Sequence, residues 1–307
     1  MDKGISAQQN EYRQGVIYVL LCQLMWGFLP IYWESLNPIE SWKIILYRIL
    51  TMFVYSYTAA RLKFSREEIW TPFKDGKTRL KYFAAGAVLT VNWSIYIWAM
   101  TTGHMVQSSI GYYIEPIVIC AFGVVLFKEE LTKYNVPAMI LALVAIVIIL
   151  VHYRQLPGVA LGLALTWATY SAIKKASEVQ PLIALVYETM PYAILAFFAI
   201  LYIEAKGIGA LSVGAPRQYA MMWLSGLVTL IPVGLFGYAA KKTSLFVIGL
   251  AQYISPTITL LLGIFVYHEA IDPAQIAAFA IIWIGLFIFT YGEFKKMGIG
   301  TGLEESA

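Results

Sequence analysis

The sequence predicts an all-α integral membrane protein whose ten transmembrane helices form two inverted repeats of five. Three observations predict this fold class. Of the 307 residues, 60% are hydrophobic and only 13% are charged, whereas soluble domains hold roughly 45–50% apolar and about 25% charged residues. Apolar segments of about 20 residues recur along the chain, which is the length that a membrane-spanning helix needs. The second half of the chain also resembles the first half.

Ten apolar segments are each long enough to cross a hydrocarbon core of about 30 Å as a helix. They cover residues 16–34, 42–62, 82–102, 105–127, 135–152, 156–174, 182–203, 219–240, 245–267 and 274–292. The alternating pattern of a transmembrane barrel is absent, which favours helices. The predicted domains are a tail (1–15), a first repeat (16–152), a second repeat (153–292) and a tail (293–307).

The charges of the loops predict the orientation of the chain. Segments on the side of the N-terminus hold seventeen lysines and arginines, Lys174 among them, whereas the other side holds only Arg154, Lys206 and Arg217. Basic residues concentrate on the cytoplasmic side of membrane proteins. We therefore expect a multi-pass protein of the cell membrane with both termini in the cytoplasm. The net charge of +4 follows from these loops and does not predict a nucleic-acid partner.

Residues 63–81 form the longest predicted cytoplasmic loop. Within it, Ser65 and Glu68 have the spacing of a capping box, and the aromatic residues Trp70 and Phe73 follow. This pattern predicts either a short interfacial helix with its aromatic side chains at headgroup level or a solvated linker.

The internal repeat is clearest where residues 111–129 align with residues 251–269. The identical pairs there are Tyr113/Tyr253, Ile114/Ile254, Pro116/Pro256, Gly123/Gly263 and Glu129/Glu269, and we call their common separation the repeat offset. Because each half has an odd number of spans, the second half must enter the membrane upside down. Inverted repeats are the common architecture of secondary transporters, whose substrate site lies near the membrane midplane between the halves. The alternative is a duplication that reflects ancestry alone.

Pro116 and Pro256 occupy matching positions in the fourth and ninth spans. Each proline removes a backbone hydrogen bond, which frees the carbonyls of Tyr112 and Gln252. Polar residues lie on the same helical faces at helical spacing, namely Ser108, Tyr112, Glu115, Gln252, Ser255 and Thr259. We interpret the prolines as hinges of two kinked helices that line a shared cavity. The alternative is that the kinks only shape helix packing.

The third span carries Asn92 and Tyr96 one helical turn apart, with Trp93 beside them and His104 at its outer end. An amide and an indole at membrane depth need hydrogen-bond partners, which a polar substrate or water in a cavity would supply. Hydrogen bonds between helices are the alternative.

Arg48 and Glu188 are charged residues within apolar spans, and the repeat offset separates them. A charge at a helix centre costs roughly 2.5–3.5 kcal/mol on insertion scales, so such residues usually have a partner or a function. We weigh three roles: a direct ion pair that locks the halves together, a contact with the substrate, and a pair that breaks during gating.

Glu115 lies in the fourth span, and its match in the second half is Ser255. It is a candidate for proton coupling, and a protonated, hydrogen-bonded carboxyl is the alternative. The sequence lacks the motifs GxSxG, Walker A, CxxC and HExxH. We therefore expect no enzymatic activity, no metal or cofactor, and no need for an ATPase subunit.

Several strings of this sequence resemble the RarD branch of the EamA family, in the drug/metabolite transporter superfamily. They are WGFLPIY at 26–32, Arg48, NWSIYIWA at 92–99, His104, SSIGYYIEP at 108–116, ETM at 188–190, GLVTLIP at 226–232, QYISPT at 252–257 and FAIIW at 279–283. The resemblance implies two five-helix halves, cytoplasmic termini and a central cavity walled mainly by spans one, three, four, six, eight and nine.

The residues that fall on the family pattern are Trp26, Arg48, Asn92, Trp93, His104, Tyr113, Pro116, Glu188, Gln252, Tyr253 and Pro256. Glu115 departs from it, since an asparagine is usual at the matching place. The sequence thus predicts a secondary transporter of a small polar or amphipathic metabolite or drug, with the lipid bilayer and the solute as its partners. A passive facilitator or channel and a non-transporting membrane sensor are the alternatives.

Overall fold

The computed structural model describes residues 2–101, 105–154, 158–268 and 272–296, and every regular element in these ranges is a helix. The helices are α1 Asp2–Glu34, α2 Ser41–Lys63, α3 Arg66–Lys74, α4 Gly76–Thr101, α5 Met105–Phe127, α6 Asn135–Tyr153, α7 Gly158–Lys175, α8 Pro181–Ala205, α9 Ala210–Val213, α10 Pro216–Lys242, α11 Leu245–Ala251, α12 Ile254–Phe265 and α13 Pro273–Lys296. The all-helical prediction is therefore confirmed for the described residues.

Seven stretches of the described residues are helical, long and apolar enough to cross a membrane. They lie in α1, α5, α6, α8, α10, the α11–α12 pair and α13. The other three predicted spans correspond to α2, α4 and α7, whose polar residues, among them Arg48, Asn92 and Lys174, lower their hydropathy. The count of ten spans stays a prediction, and it depends on these three helices.

Helix boundaries recur along the chain at the repeat offset. α2 and α8 begin at residues 41 and 181, and α4 and α10 begin at residues 76 and 216. Lys128 and His268, which follow α5 and α12, both have a left-handed backbone, with φ angles of 52° and 53°. A left-handed conformation is uncommon for a residue other than glycine. Matching chain positions therefore share their local structure.

Several lysine-bearing helix ends lie together at one end of the bundle, which we call the basic end. Lys81 at the start of α4 donates a hydrogen bond to the carbonyl of Ala176, just after α7, at 2.7 Å. Lys241 at the end of α10 donates to the carbonyl of Val179, just before α8, at 3.0 Å. The loop between α7 and α8 is thereby tied to both α4 and α10 at this end.

The loop helix α3 also lies at the basic end. The predicted capping box is confirmed, since Ser65 accepts from the Glu68 N–H at 3.1 Å and Glu68 accepts from the Ser65 N–H at 2.8 Å. Ile69 is fully buried, and its carbonyl accepts a hydrogen bond from Tyr187 of α8. α3 is thus a docked amphipathic helix and not a solvated linker. Its placement at headgroup level stays a prediction.

α2 and α8 pack antiparallel against each other. The Tyr47 hydroxyl near the start of α2 donates to Glu204 near the end of α8 at 2.7 Å. Ala60, near the end of α2, packs in one cluster with Ile183, near the start of α8. We call the end that contains Tyr47 and Glu204 the opposite end.

Glycines let α4 and α10 approach this central pair closely. A Cβ atom on Gly86 of α4 would lie 1.9 Å from the carbonyl oxygen of Glu188 in α8. A Cβ atom on Gly226 of α10 would lie 2.2 Å from the backbone nitrogen of Met52 in α2. The two glycines are separated by the repeat offset, so the same close contact is built in each half.

The two predicted hinges differ. α5 is a continuous helix that contains Pro116. The matching segment is interrupted, because α11 ends at Ala251 and α12 begins at Ile254, two residues before Pro256. The missing N–H of a proline weakens the preceding turn of a helix, and only the second half has a full break there.

Candidate functional site

Arg48 of α2 is held by two tryptophans. Its guanidinium carbon lies 3.7 Å from the ring centroid of Trp93 in α4 and 5.3 Å from that of Trp33 in α1. Its Nε atom is buried without a hydrogen-bond partner. No carboxylate of the described residues forms an ion pair with it. Cation–π contacts stabilise a guanidinium but leave its in-plane N–H donors free to bind a ligand.

Two tyrosines extend this group. The phenol of Tyr96 in α4 lies within electrostatic range of the Arg48 guanidinium and near the phenol of Tyr112 in α5. Tyr96 and Tyr112 keep 37% and 43% of their surface accessible. Part of each ring is therefore accessible rather than packed in the protein interior. We call Trp33, Arg48, Trp93, Tyr96 and Tyr112 the arginine cluster.

Glu115 of α5 joins a hydrogen-bonded chain. With its side-chain amide oriented to satisfy both neighbours, Gln252 donates to Glu115 at 2.6 Å and accepts from the indole N–H of Trp167 at 2.8 Å. The Trp167 ring in turn packs edge-on against Trp26 of α1, at 5.3 Å between centroids. The half-buried Glu115 has no ion-pair partner among the described residues. The structure thus brings Trp26, Glu115 and Gln252 together.

Asn92 faces a neighbouring helix. Its side-chain amide donates to the carbonyl of Leu163 at 3.0 Å and to the hydroxyl of Thr166 at 2.8 Å, both in α7. Both amide protons are therefore used in helix packing, which favours the structural alternative for this residue.

A second charged group lies deeper in the protein. Lys174 of α7 and Glu188 of α8 form an ion pair at 2.8 Å, and their side chains are 1% and 0% exposed. The hydroxyl of Tyr170 donates to the second oxygen of Glu188 at 2.9 Å. Buried ion pairs persist where hydrogen bonds satisfy the charged groups, and removing one partner leaves a costly buried charge. We call Tyr170, Lys174 and Glu188 the buried triad.

Of the three roles weighed for Arg48 and Glu188, the direct ion pair is not formed in this structure, because Glu188 pairs with Lys174. The antiparallel packing of α2 and α8 keeps the two residues apart. Arg48 lies near the opposite end and Glu188 near the basic end. They are roughly 10–15 Å apart along the helix axes, since each helical residue advances about 1.5 Å. Equal distances from the starts of two antiparallel helices are not equal depths.

Lys174, which the charge count assigned to the cytoplasmic side, lies toward the basic end, and its side chain is buried within the bundle. A signal for its role was present in the sequence. Lys174 precedes Glu188 by fourteen residues, and Glu34 precedes Arg48 by the same number.

The remaining predicted site residues are spread over several environments. Tyr253 is buried and donates to the carbonyl of Tyr113 at 2.9 Å, which joins α12 to α5. Ser255 is half-buried, and the exposed Thr259 lies 3.5 Å from the carbonyl oxygen of Gly27. His104 lies outside the described residues. The described residues contain no group of His, Cys, Asp and Glu side chains that would hold a metal ion.

Comparison with known proteins identifies the family. The sequence profile of the EamA-like transporter family matches residues 13–151 and residues 158–291. The chain is 33% identical over 293 residues to "Uncharacterized transporter YojE" of Bacillus subtilis, covering 94% of this chain and 97% of that protein. It is 33% identical over 291 residues to "Protein RarD" of Streptomyces exfoliatus, covering 94% of this chain and 91% of that protein.

It is also 30% identical over 289 residues to "Protein RarD" of Escherichia coli, covering 91% of this chain and 95% of that protein. A solved structure matches with a TM-score of 0.69 at 16% identity, over 89% of this chain and 96% of that one, which shows the fold alone. The chain therefore belongs to the EamA-like transporter family, with RarD proteins among its relatives, and it is a multi-pass membrane protein.

Proposed function

Since the chain belongs to the EamA-like transporter family, we propose that it is a secondary transporter of a small polar or amphipathic solute. It works by alternating access between two inverted five-helix halves of a ten-span bundle. It resides in the cell membrane with both termini in the cytoplasm. Transport proceeds without an ATPase subunit.

Two features support the inverted repeat. Helix starts, the left-handed residues after α5 and α12, and the close-contact glycines all recur at the repeat offset. The family profile also matches each half separately. Paired halves of this kind move against each other around a site at their interface.

The arginine cluster is the observation that carries the proposal. An arginine without an anionic partner is expensive inside a membrane, and such residues usually lie on solute pathways. Its free N–H donors suit an acceptor oxygen of the solute, and the rings of Trp93, Tyr96 and Tyr112 suit an apolar or aromatic part. An amphipathic solute with at least one acceptor oxygen meets both requirements.

Glu115 is the candidate site for proton coupling. Its partner Gln252 accepts a hydrogen bond from Trp167 and donates one to the carboxylate, and no cation of the described residues forms an ion pair with Glu115. A Glu115→Gln variant of a proton-coupled transporter loses the dependence of flux on the pH gradient while still binding the solute. An unchanged pH dependence in this variant excludes Glu115 as the coupling site.

Thermal shift of the detergent-purified protein against amino acids, nucleobases, amines and phenicols tests solute binding, because binding to the folded state raises the apparent melting temperature. Any compound that raises it is then tested for saturable flux in proteoliposomes. We expect the shift to disappear in Arg48→Ala and to persist in the matched control Arg217→Ala, whose arginine is exposed at the opposite end. Flux that does not saturate favours a passive facilitator, and binding without flux favours a sensor.

A further inference from the structure

At matching positions, each half of the chain carries a pair of opposite charges fourteen residues apart, of which one member lies within an apolar span. In the first half the pair is Glu34 and Arg48, and in the second half it is Lys174 and Glu188. At the repeat offset Glu34 matches Lys174 and Arg48 matches Glu188, so the signs are exchanged within the pair. Each half therefore pairs one glutamate with one long basic side chain, and the summed length of the two side chains is similar in both halves.

The pair of the second half is formed. Lys174 and Glu188 are 2.8 Å apart and buried, and α7 packs closely on α10 around them. The rings of Tyr170 and Phe236 stack at 6.2 Å, and a Cβ atom on Gly237 would lie 3.1 Å from the Lys174 side chain. The second half is thus closed toward the basic end.

The pair of the first half is open. Glu34 is exposed at the end of α1. Arg48 instead contacts Trp33, the residue next to Glu34, and its Nε atom has no hydrogen-bond partner. The helices that match α7 and α10 are α1 and α4, which make at most marginal backbone contact within the described residues. The side chain of Arg48 bridges their tryptophans, Trp33 and Trp93.

We propose that Glu34–Arg48 and Lys174–Glu188 are alternate ion-pair gates at the two ends of the transport pathway. This inference rests on the proposed function. In the present conformation the gate at the basic end is closed and the gate at the opposite end is open. When the halves exchange conformations, Glu34 leaves solvent and pairs with Arg48, α1 closes on α4, and Lys174 separates from Glu188.

The mechanism follows from the cost of unpaired charge. Closing either gate removes both of its charges from water, which is favourable only if they pair. Each gate therefore stabilises one of two states, and weakening one gate shifts the population toward the state that the other gate closes. Glu34 and Lys174 act as positioning residues, since neither needs to contact the solute.

Cysteine accessibility tests the gates without a known solute. Cys22 and Cys120 are first replaced by serine, and Tyr112→Cys serves as the reporter in the cavity. Right-side-out and inside-out membrane vesicles are then treated with a membrane-impermeant cationic methanethiosulfonate, which labels the reporter from one side at a time. The rates are compared for Lys174→Gln, Glu34→Gln and the two together. Lys206→Gln and Glu67→Gln are matched controls, because both residues are exposed.

We expect Lys174→Gln to lower the labelling rate from the opposite end and to raise it from the basic end. Their ratio should change at least about tenfold, as expected for a shifted two-state equilibrium. Adding Glu34→Gln should return the ratio toward that of the reporter chain. Glu34→Gln alone should slow labelling from the basic end, and this variant removes only an exposed group, so it serves even if Lys174→Gln does not fold.

The inference and the proposed function fail in different ways. A reporter that is labelled from only one side in every variant argues against alternating access itself. If the reporter is labelled from both sides and neither Lys174→Gln nor Glu34→Gln changes the labelling rates, the gates are overturned. Alternating access itself is not contradicted by this result. The charge exchange of Lys174→Glu with Glu188→Lys should keep the labelling pattern of the reporter chain, and a changed pattern also counts against the gates.

Discussion

Arg48 and Glu188 occupy matching positions in the two halves, and their surroundings differ in three respects. Glu188 is paired, fully buried and hydrogen-bonded by Tyr170. Arg48 is half-buried, contacts aromatic rings, and keeps one buried donor without a partner. Matching helices therefore hold one charge whose hydrogen bonds are satisfied and one with an unsatisfied donor. A repeat fixes where charged residues lie, and the packing of each half decides whether they stabilise the fold or serve the site.

The largest effect on stability should come from removing the cation that pairs with Glu188. Lys174→Ala leaves Glu188 buried without a cation, and we expect the free energy of unfolding to fall by about 3–5 kcal/mol. Reversible unfolding in detergent measures this loss. The double variant Lys174→Met with Glu188→Met removes both charges and should recover most of it. A single variant as stable as the parent chain means that the ion pair does not contribute in the membrane protein.

The close-contact glycines test whether the halves are equally tight. Gly86→Ala and Gly226→Ala each force α4 or α10 away from the central α2–α8 pair, and overpacking of this kind costs about 1–3 kcal/mol. We expect comparable losses of unfolding free energy, because the two contacts are related by the repeat. If only Gly86→Ala lowers the free energy of unfolding, then only the contact near Glu188, toward the basic end, needs a glycine.

Arg48→Met should change stability much less than the loss of Lys174. The substitution removes cation–π contacts worth about 0.5–2 kcal/mol, but it also removes a buried donor whose unsatisfied state costs about 1–3 kcal/mol. We expect the two to offset within about 1 kcal/mol in the same unfolding assay. Solute binding, measured by thermal shift, should nevertheless be lost. A variant with lowered stability and retained binding assigns Arg48 to the fold.

The smallest effect should come from the caps before α6 and α13. Asp272 accepts from the Ala274 N–H at 2.8 Å and from Tyr153 at 3.0 Å. The Ala274 hydrogen bond first, and then Tyr153 and His152, lower the pKa of this carboxyl below its usual value. Thr132, the matching residue before α6, caps through a neutral hydroxyl that accepts from the Asn135 N–H at 3.3 Å.

A carboxyl with a lowered pKa stabilises the folded state above its unfolded pKa of about 3.9 and loses this contribution as the pH falls through its folded pKa. The difference in melting temperature between the parent chain and Asp272→Asn should therefore shrink on acidification from neutral pH to about pH 3. Thr132→Val should lower the melting temperature equally at both pH values. An acid-independent effect of Asp272→Asn would mean that the cap does not depend on its charge.

Much of the fold was predictable because it depends on local chemistry. The apolar segments and the capping box of Ser65 and Glu68 are properties of short stretches, and the structure has helices at both. The polar residues of α2 and α4 pointed to two of the helices that hold the candidate site. The partners of those residues were not predictable. The amide of Asn92 bonds to α7, and Lys174 is buried instead of solvated.

The sequence by itself determined the membrane class, the helices and the spacing of the repeat, since hydropathy, caps and self-alignment need no knowledge of neighbours. Only the tertiary structure decided which charges meet. Glu188 pairs with Lys174, and Glu129 caps α11 by accepting the N–H of Leu245 at 2.7 Å, across 116 residues of chain. The physical reason is that a side chain reaches only a few ångströms, so its partner depends on the direction, depth and rotation of whichever helix packs beside it.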